Sequence, residues 1–136
     1  MKFNFSYTRL YVNDYDTCLQ FYRDVLGLEV VFISEVDRYV ELTNGTTKLT
    51  IMCRGKLKEY FGSRTLVSFE QKGDAIALSF GVKDVDEALE YLKSKNVEVV
   101  SSSWNFADWG VKLALVRDPE GNLVELLQAG EMVGAE

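Results

Sequence analysis

The stretch NDYDTCLQFYRDVLGLEV, residues 13–30, has a counterpart in KDVDEALEYLKSKNVEVV, residues 83–100. Each copy begins with an aspartate, Asp14 or Asp84, whose carboxylate can accept from the free amides of a first helical turn. Apolar residues then recur in each copy at the spacing of one helix face. Two such copies in one chain indicate a supersecondary unit that is used twice.

Strand-like segments surround both predicted helices. Alternating apolar residues, bounded by turn residues, predict one strand before each helix and three strands after it. The predicted strands cover residues 3–12, 28–34, 38–43, 46–53, 75–82, 97–101, 111–116 and 122–128. The helices are predicted to end at Gly27 and Asn96, residue types that accept the left-handed backbone of a helix C-terminus. Turns are expected at Asn44-Gly45 and at Asp118-Pro119-Glu120-Gly121.

We therefore predict an α+β fold of two tandem βαβββ modules, whose curled mixed sheets surround one concave cleft. Module one covers about residues 3–54 and module two about residues 75–129, with a connector at 55–74 that carries a short helix near 57–61. The whole chain, residues 1–136, is expected to form one domain. Neither module can cover both faces of its sheet alone, so each is expected to use the other.

Composition narrows the function. The 136 residues are 47% hydrophobic, carry a net charge of −6 and include no histidine. The negative charge opposes nucleic-acid binding, and the missing histidine removes the commonest general base and metal ligand. Cys18 and Cys53 are expected to be reduced core thiols. We find no signal peptide and no apolar run of ~20 residues, and therefore expect a cytoplasmic protein with no membrane partner.

Three stretches resemble the vicinal oxygen chelate superfamily, the glyoxalase, bleomycin-resistance and dioxygenase group. They are YVNDYDTCLQFYRDVLGLEVV (11–31), FGVKDVDEALEYLKSKNVEV (80–99) and WGVKLALVRDPEGNLVELLQ (109–128). The motif D-P-x-G-N-x-x-E-L in the last stretch is the most specific. The resemblance implies paired βαβββ modules, a homodimer, and a concave site in which the family's enzymes bind a divalent metal through the first and last strands of each module.

The family's four ligand positions fall on Tyr7, Thr50, Ala77 and Glu125. Only Glu125 is a good ligand: the phenol of Tyr7 is a poor one, Thr50 is a weak donor and Ala77 cannot coordinate. One carboxylate does not hold a divalent cation, which needs several ligands in a defined geometry. We therefore expect no metal and no cofactor, and Glu125 is the best candidate for a catalytic group if there is one.

Strand alternation predicts which side chains line the cleft. A loop at residues 104–110 is expected to fold over its mouth. The predicted ligand-binding residues are Tyr7, Arg9, Tyr11, Tyr39, Glu41, Lys48, Thr50, Met52, Ser79, Trp104, Phe106, Trp109 and Glu125. Taken singly, the tyrosines also suit ordinary packing, and Glu125 also suits an ion pair with Arg9 or Lys48.

An aromatic-lined cleft with few charges suits a flat or amphipathic small molecule. The carboxylates are expected to hold a cationic part of that ligand, with cation–π help from tryptophan. This resembles the metal-free bleomycin-resistance proteins, acidic dimers that sequester a cationic drug. The alternatives are a metal-dependent lyase or dioxygenase that uses Glu125 with Glu41 or Tyr7, a metal-free isomerase with Glu125 or Glu41 as base, and a partner-binding module without a small ligand.

Overall fold

The computed structural model describes residues 1–61, 76–106 and 110–129. The chain divides into two compact units, a first unit of residues 1–70 and a second unit of residues 71–136. Among the described residues, no helix is long and apolar enough to cross a membrane. The organisation of both units as one domain stays a prediction.

The first unit is a four-stranded mixed sheet with helical segments. Its elements are β1 (Thr8–Val12), α1 (Tyr15–Gln20), a π-helical turn (Phe21–Val25), β2 (Glu29–Ser34), β3 (Tyr39–Thr43), β4 (Lys48–Cys53) and α2 (Arg54–Phe61). The strand order is β1-β4-β3-β2. β1 runs parallel to β4, and the other neighbouring strands are antiparallel.

The second unit repeats this arrangement. Its elements are β5 (Ala77–Gly81), α3 (Val85–Ser94), β6 (Val99–Phe106), β7 (Val111–Arg117) and β8 (Leu123–Ala129). The strand order is β5-β8-β7-β6, with β5 parallel to β8 and the remaining pairs antiparallel. The predicted α+β class and the two βαβββ units are confirmed.

Each unit buries an apolar helix face against one face of its sheet. α1 contacts β4, and α3 contacts β6, β7 and β8. Burial of each large apolar side chain stabilises the fold by about 1.5–3 kcal/mol. The buried apolar residues are Val12, Tyr15, Cys18, Leu19, Phe21, Tyr22, Leu28, Val40, Leu42, Leu49 and Ile51 in the first unit, and Val85, Leu89, Leu92, Ala114, Val116, Val124 and Leu126 in the second.

The predicted helix boundaries rest on specific side chains. Asp14 Oδ1 accepts from the Thr17 amide at 3.1 Å, and Asp84 Oδ1 accepts from the Glu87 amide at 3.1 Å. Both bonds satisfy a donor that the first helical turn leaves without an intrahelical acceptor. At the other ends, Gly27 has φ +80° and Asn96 has φ +62°. Both N-caps and both left-handed C-terminal residues are therefore confirmed.

The π-helical turn explains a difference in length between the two repeats. Segment 14–27 is one residue longer than segment 84–96. Within Phe21–Val25 the backbone bonds skip one residue more than in an α-helix, and the Leu26 amide donates to the Phe21 carbonyl at 2.9 Å. The extra residue of the first repeat is accommodated in this wider turn.

The turn between β7 and β8 is built on one carboxylate. Asp118 Oδ1 accepts from the amides of Glu120 at 2.9 Å and Asn122 at 2.8 Å, and Oδ2 accepts from Asn122 Nδ2 at 2.8 Å. Gly121 has φ +87°, a conformation that glycine adopts at no steric cost. Asp118 is only 5% exposed. The predicted turn is confirmed, and its aspartate is a structural residue.

Two predicted segments are wrong. The strand predicted at 3–12 begins at Thr8, because β1 pairs with β4 only from Thr8 and Leu49 onward, so residues 3–7 have no ladder partner. Phe3 and Phe5 are consequently exposed. The loop predicted at 104–110 is strand as far as Phe106, because β6 continues to pair with β7 up to Val111. Residues 107–109 and the connector at 62–75 lie outside the described residues.

Candidate functional site

The polar face of the first sheet is organised in rows across the strands. Arg9 on β1 lies opposite Thr50 on β4, and Thr50 lies opposite Glu41 on β3. Successive strand residues point to opposite faces. The apolar sequence neighbours of Glu41 and Thr50 are buried against the core, so this row occupies the opposite face of the sheet.

A second row follows two residues further along the strands. Tyr11 lies opposite Met52, and Met52 lies opposite Tyr39. Lys48, at the start of β4, lies opposite Thr43. Strand alternation thus correctly placed the first-unit candidates from Arg9 onward on one face. Tyr7 precedes β1 in an irregular segment, yet it reaches the same face through Arg9.

Arg9 forms hydrogen bonds with three side chains, Thr50, Tyr7 and Tyr39. Its Nε donates to Thr50 Oγ1 at 3.0 Å, and its Nη2 donates to the hydroxyls of Tyr7 at 2.5 Å and Tyr39 at 3.5 Å. Thr50 is fully buried. Burial lowers the pKa of Arg9, but hydrogen bonds with Tyr11 and Tyr39 outweigh it and leave the pKa raised. The guanidinium is therefore charged, and buried Thr50 fixes its orientation.

Glu41 is held as a carboxylate in the same cluster. The Tyr39 hydroxyl donates to its Oε2 at 2.6 Å, and Lys48 Nζ donates to its Oε1 at 3.1 Å. The hydrogen bond from Tyr39 lowers the pKa of Glu41, and the bond and charge of Lys48 lower it further against the effect of burial. A carboxylate with a lowered pKa is a poor general base at neutral pH.

Aromatic rings cover the two cations of this cluster. The Arg9 guanidinium carbon lies 5.1 Å from the ring centre of Tyr7 and 5.5 Å from that of Tyr39. Lys48 Nζ lies 5.7 Å from the ring centre of Tyr7. At these distances the ring faces attract the cations by about 0.5–1 kcal/mol each where water has access. We call Tyr7, Arg9, Tyr39, Glu41, Lys48 and Thr50 the Arg9 cluster.

Phe32 belongs to this face and was missed by the sequence analysis. It lies opposite Glu41, its ring centre is 6.1 Å from that of Tyr39, and it is 53% exposed. A β-bulge between Val30 and Phe32 adds one residue to β2. Simple alternation would therefore place Val30 and Phe32 on the same face, whereas the bulge puts them opposite residues of different faces.

The second unit brings together two of the predicted residues. Ser79 on β5 lies opposite Glu125 on β8, and its Oγ donates to Glu125 Oε1 at 2.8 Å. The flanking Val124 and Leu126 are buried, so Glu125 points away from the core as predicted. This pair occupies the place in the second repeat that Arg9 and Thr50 occupy in the first.

The remaining candidates lie on or near β6. Trp104 is 64% exposed and opposite Leu113 of β7. Phe106 ends β6, and its side chain, like all of Trp109, falls outside the described part of the chain. A nearby ion pair between Asp86 and Lys112, with a bond from Ser103 to Asp86, ties α3 to the sheet.

The residues at the four family ligand positions do not fit a divalent ion. Thr50 is buried with its Oγ1 accepting from the Arg9 guanidinium, so a cation already stands beside that position. Ala77 has no side-chain ligand atom, and among the described residues the Glu125 carboxylate has one hydrogen-bond partner, Ser79. Across residues 1–61, 76–106 and 110–129, no three His, Cys, Asp or Glu side chains form a metal-binding group.

Comparison with known families agrees with this architecture. The family model described as the Glyoxalase/Bleomycin resistance protein/Dioxygenase superfamily matches residues 4–126. The chain belongs to this superfamily. The match covers the first βαβββ unit, the second unit as far as Leu126 of β8, and the D-P-E-G-N turn, so the resemblance carried by the three stretches of sequence is confirmed.

Individual members of the superfamily are similar over most of their length. The chain is 30% identical over 118 residues to the uncharacterized protein YraH of Bacillus subtilis, covering 87% of this chain and 92% of that protein. A solved family member from Nocardioides superposes with a TM-score of 0.77 at 17% identity, covering 100% and 89% of the two chains. A lactoylglutathione lyase from Agrobacterium tumefaciens superposes with a TM-score of 0.70 at 25% identity, covering 98% of each chain.

Proposed function

We propose that this protein is a metal-independent small-molecule binding protein of the bleomycin-resistance type, which holds an aromatic or amphipathic ligand. The observation that carries the proposal is the Arg9 cluster. A family scaffold presents ordered tyrosine rings and a fixed guanidinium where a metal-binding member would present ligands. The proposed binding surface includes Phe32, Tyr11 and Met52 beside the cluster.

The surface has the features of a ligand site on a rigid scaffold. Aromatic faces supply contact area at a low cost in conformational entropy, and a few oriented polar groups fix the ligand's direction. Here the Arg9 guanidinium is oriented by its bond to buried Thr50, and the Glu41 carboxylate is oriented by the bond from Tyr39. Ser79, Trp104 and Glu125 are proposed as ligand contacts of the second unit.

The experiment is a calorimetric titration with a set of aromatic compounds, carried out with and without a chelator. We expect micromolar binding that the chelator does not change, and a loss of roughly tenfold or more in Y7A, because truncation removes an aromatic contact and an Arg9 partner. Y91A is the matched control, since Tyr91 is an exposed helix residue beneath Lys95. Binding that disappears with the chelator, or equal losses in both variants, would contradict the proposal.

The enzyme alternatives make different predictions. A metal-dependent lyase or dioxygenase requires a stoichiometric divalent ion in protein purified with metal supplementation. A metal-free isomerase requires a carboxylate base, and the lowered pKa of Glu41 leaves Glu125 as the better candidate for that role. Turnover abolished by E125Q would favour this alternative over the binding protein.

We also propose that the protein is a cytoplasmic homodimer. The proposal rests on the family scaffold. Light scattering coupled to size exclusion tests the assembly directly, and a mass equal to one chain across a wide range of concentrations would contradict it.

A further inference from the structure

The Arg9 cluster carries an excess of positive charge. Glu41 is paired with Lys48 and hydrogen-bonded by Tyr39, so its charge is balanced within the cluster. Arg9 adds a second cation to the same face. The local charge is therefore +1 on a chain whose net charge is −6, which is opposite to what a site for a cationic ligand needs.

Arg9 differs from Arg23 and Arg38, which each form an ion pair with an aspartate. Arg23 contacts Asp24 at 2.8 Å, and Arg38 contacts Asp16 at 3.1 Å. The Arg9 guanidinium donates to the neutral oxygens of Thr50, Tyr7 and Tyr39, and within the described residues no carboxylate lies within 4.0 Å of it. Guanidinium groups bind carboxylates strongly because two parallel N–H donors match two oxygens.

The Tyr7 hydroxyl is a second donor beside this cation. It accepts the bond from Arg9 Nη2 and, within the part of the chain that the structure describes, its own proton is donated to no acceptor. The Tyr39 hydroxyl, in contrast, already donates to Glu41. An anionic oxygen beside Arg9 can therefore accept from both the guanidinium and the Tyr7 hydroxyl, while the adjacent rings cover an aromatic group.

We propose that the ligand is an aromatic carboxylate, whose anionic group pairs with Arg9 and Tyr7 and whose ring packs on Tyr39 and Phe32. This inference rests on the proposed binding function and reverses the expectation of a cationic ligand. Lys48 strengthens the attraction from the flank without contacting the anion.

The test compares three probes of nearly equal shape on the intact protein: 2-naphthoate, 2-naphthamide and 2-naphthylmethylammonium. Calorimetry in the presence of a chelator gives each dissociation constant. We expect naphthoate to bind about tenfold or more tightly than the amide, since a charge-assisted bond contributes about twice as much as a neutral one, and the ammonium probe to bind most weakly. Raising the salt from about 50 mM to about 500 mM is expected to weaken only naphthoate binding.

Two variants test whether Arg9 is the source of the preference for naphthoate. R9Q is expected to reduce the preference for naphthoate over naphthamide to roughly threefold or less. R23Q, which removes an exposed arginine of the π-helical turn, is expected to leave this preference unchanged. The wild-type comparison stands without either variant. Amide or ammonium binding as tight as naphthoate binding overturns the inference and leaves the proposed function intact. Failure of all three probes to bind contradicts both.

Discussion

Replacement of Asp118 by alanine is expected to destabilise the second unit strongly, although the side chain has no proposed role in binding. The carboxylate accepts three hydrogen bonds, two from backbone amides and one from Asn122 Nδ2, and it is only 5% exposed. A hydrogen bond to a charged group contributes about 1.5–3 kcal/mol, but water can replace part of what is lost at a turn. We therefore expect D118A to lower the free energy of unfolding by about 2–4 kcal/mol.

The assay is urea denaturation followed by far-ultraviolet circular dichroism, with the slope of the transition checked for constancy. D118N keeps one acceptor oxygen and is expected to lose about half as much as D118A. D16A is the control, because Asp16 has a 74% exposed side chain in a surface ion pair with Arg38, and such pairs contribute at most about 1 kcal/mol. If D118A and D16A have the same midpoint, the carboxylate does not hold the turn and the reasoning is wrong.

Three further predictions concern the cluster and the helix ends. The folded-state pKa of Glu41 is lowered, so its contribution to stability is present above its unfolded pKa and disappears as the pH falls through the folded value. The difference in unfolding free energy between wild type and E41Q, measured in urea, should therefore shrink on acidification from neutral pH. A constant difference would contradict the pairing with Lys48. D84A should cost about 1 kcal/mol by removing the N-cap of α3, whereas D84N should restore most of it in the same assay. G27A should cost about 1–2 kcal/mol because φ is +80° there, while N96G should be close to neutral; equal effects would refute the role of the left-handed backbone.

Much of the fold could be predicted because local chemistry and packing agree. Asp84, for example, is followed by an apolar stripe of helical period, and the structure places a helix there with Leu89 and Leu92 buried. The errors lie where tertiary pairing decides. The aromatic alternation before Thr8 has strand character but no partner strand, and residues 104–106, predicted as loop, form a strand because β7 pairs with them.

The site was only partly predictable for the same reason. Alternation placed Arg9, Tyr39 and Glu41 on one face, as the ladders confirm. It could not show that Lys48 forms an ion pair with Glu41. That pair depends on which strands are neighbours, and the spacing of residues in the sequence does not give the strand order β1-β4-β3. Phe32 was hidden by the bulge, which breaks the two-residue period on which the prediction relied.

The π-helical turn at Phe21–Val25 allows the two repeats of this chain to differ in length. A single added residue would normally rotate everything downstream by about 100° on an α-helix, yet here β2 still enters its sheet through Gly27 as β6 enters its own after Asn96. The extra residue is confined to one turn of backbone, so both repeats keep the same strand arrangement despite their difference in length. Helices that absorb insertions in this way let duplicated halves accumulate different sequences, and so different surfaces, without losing their common plan.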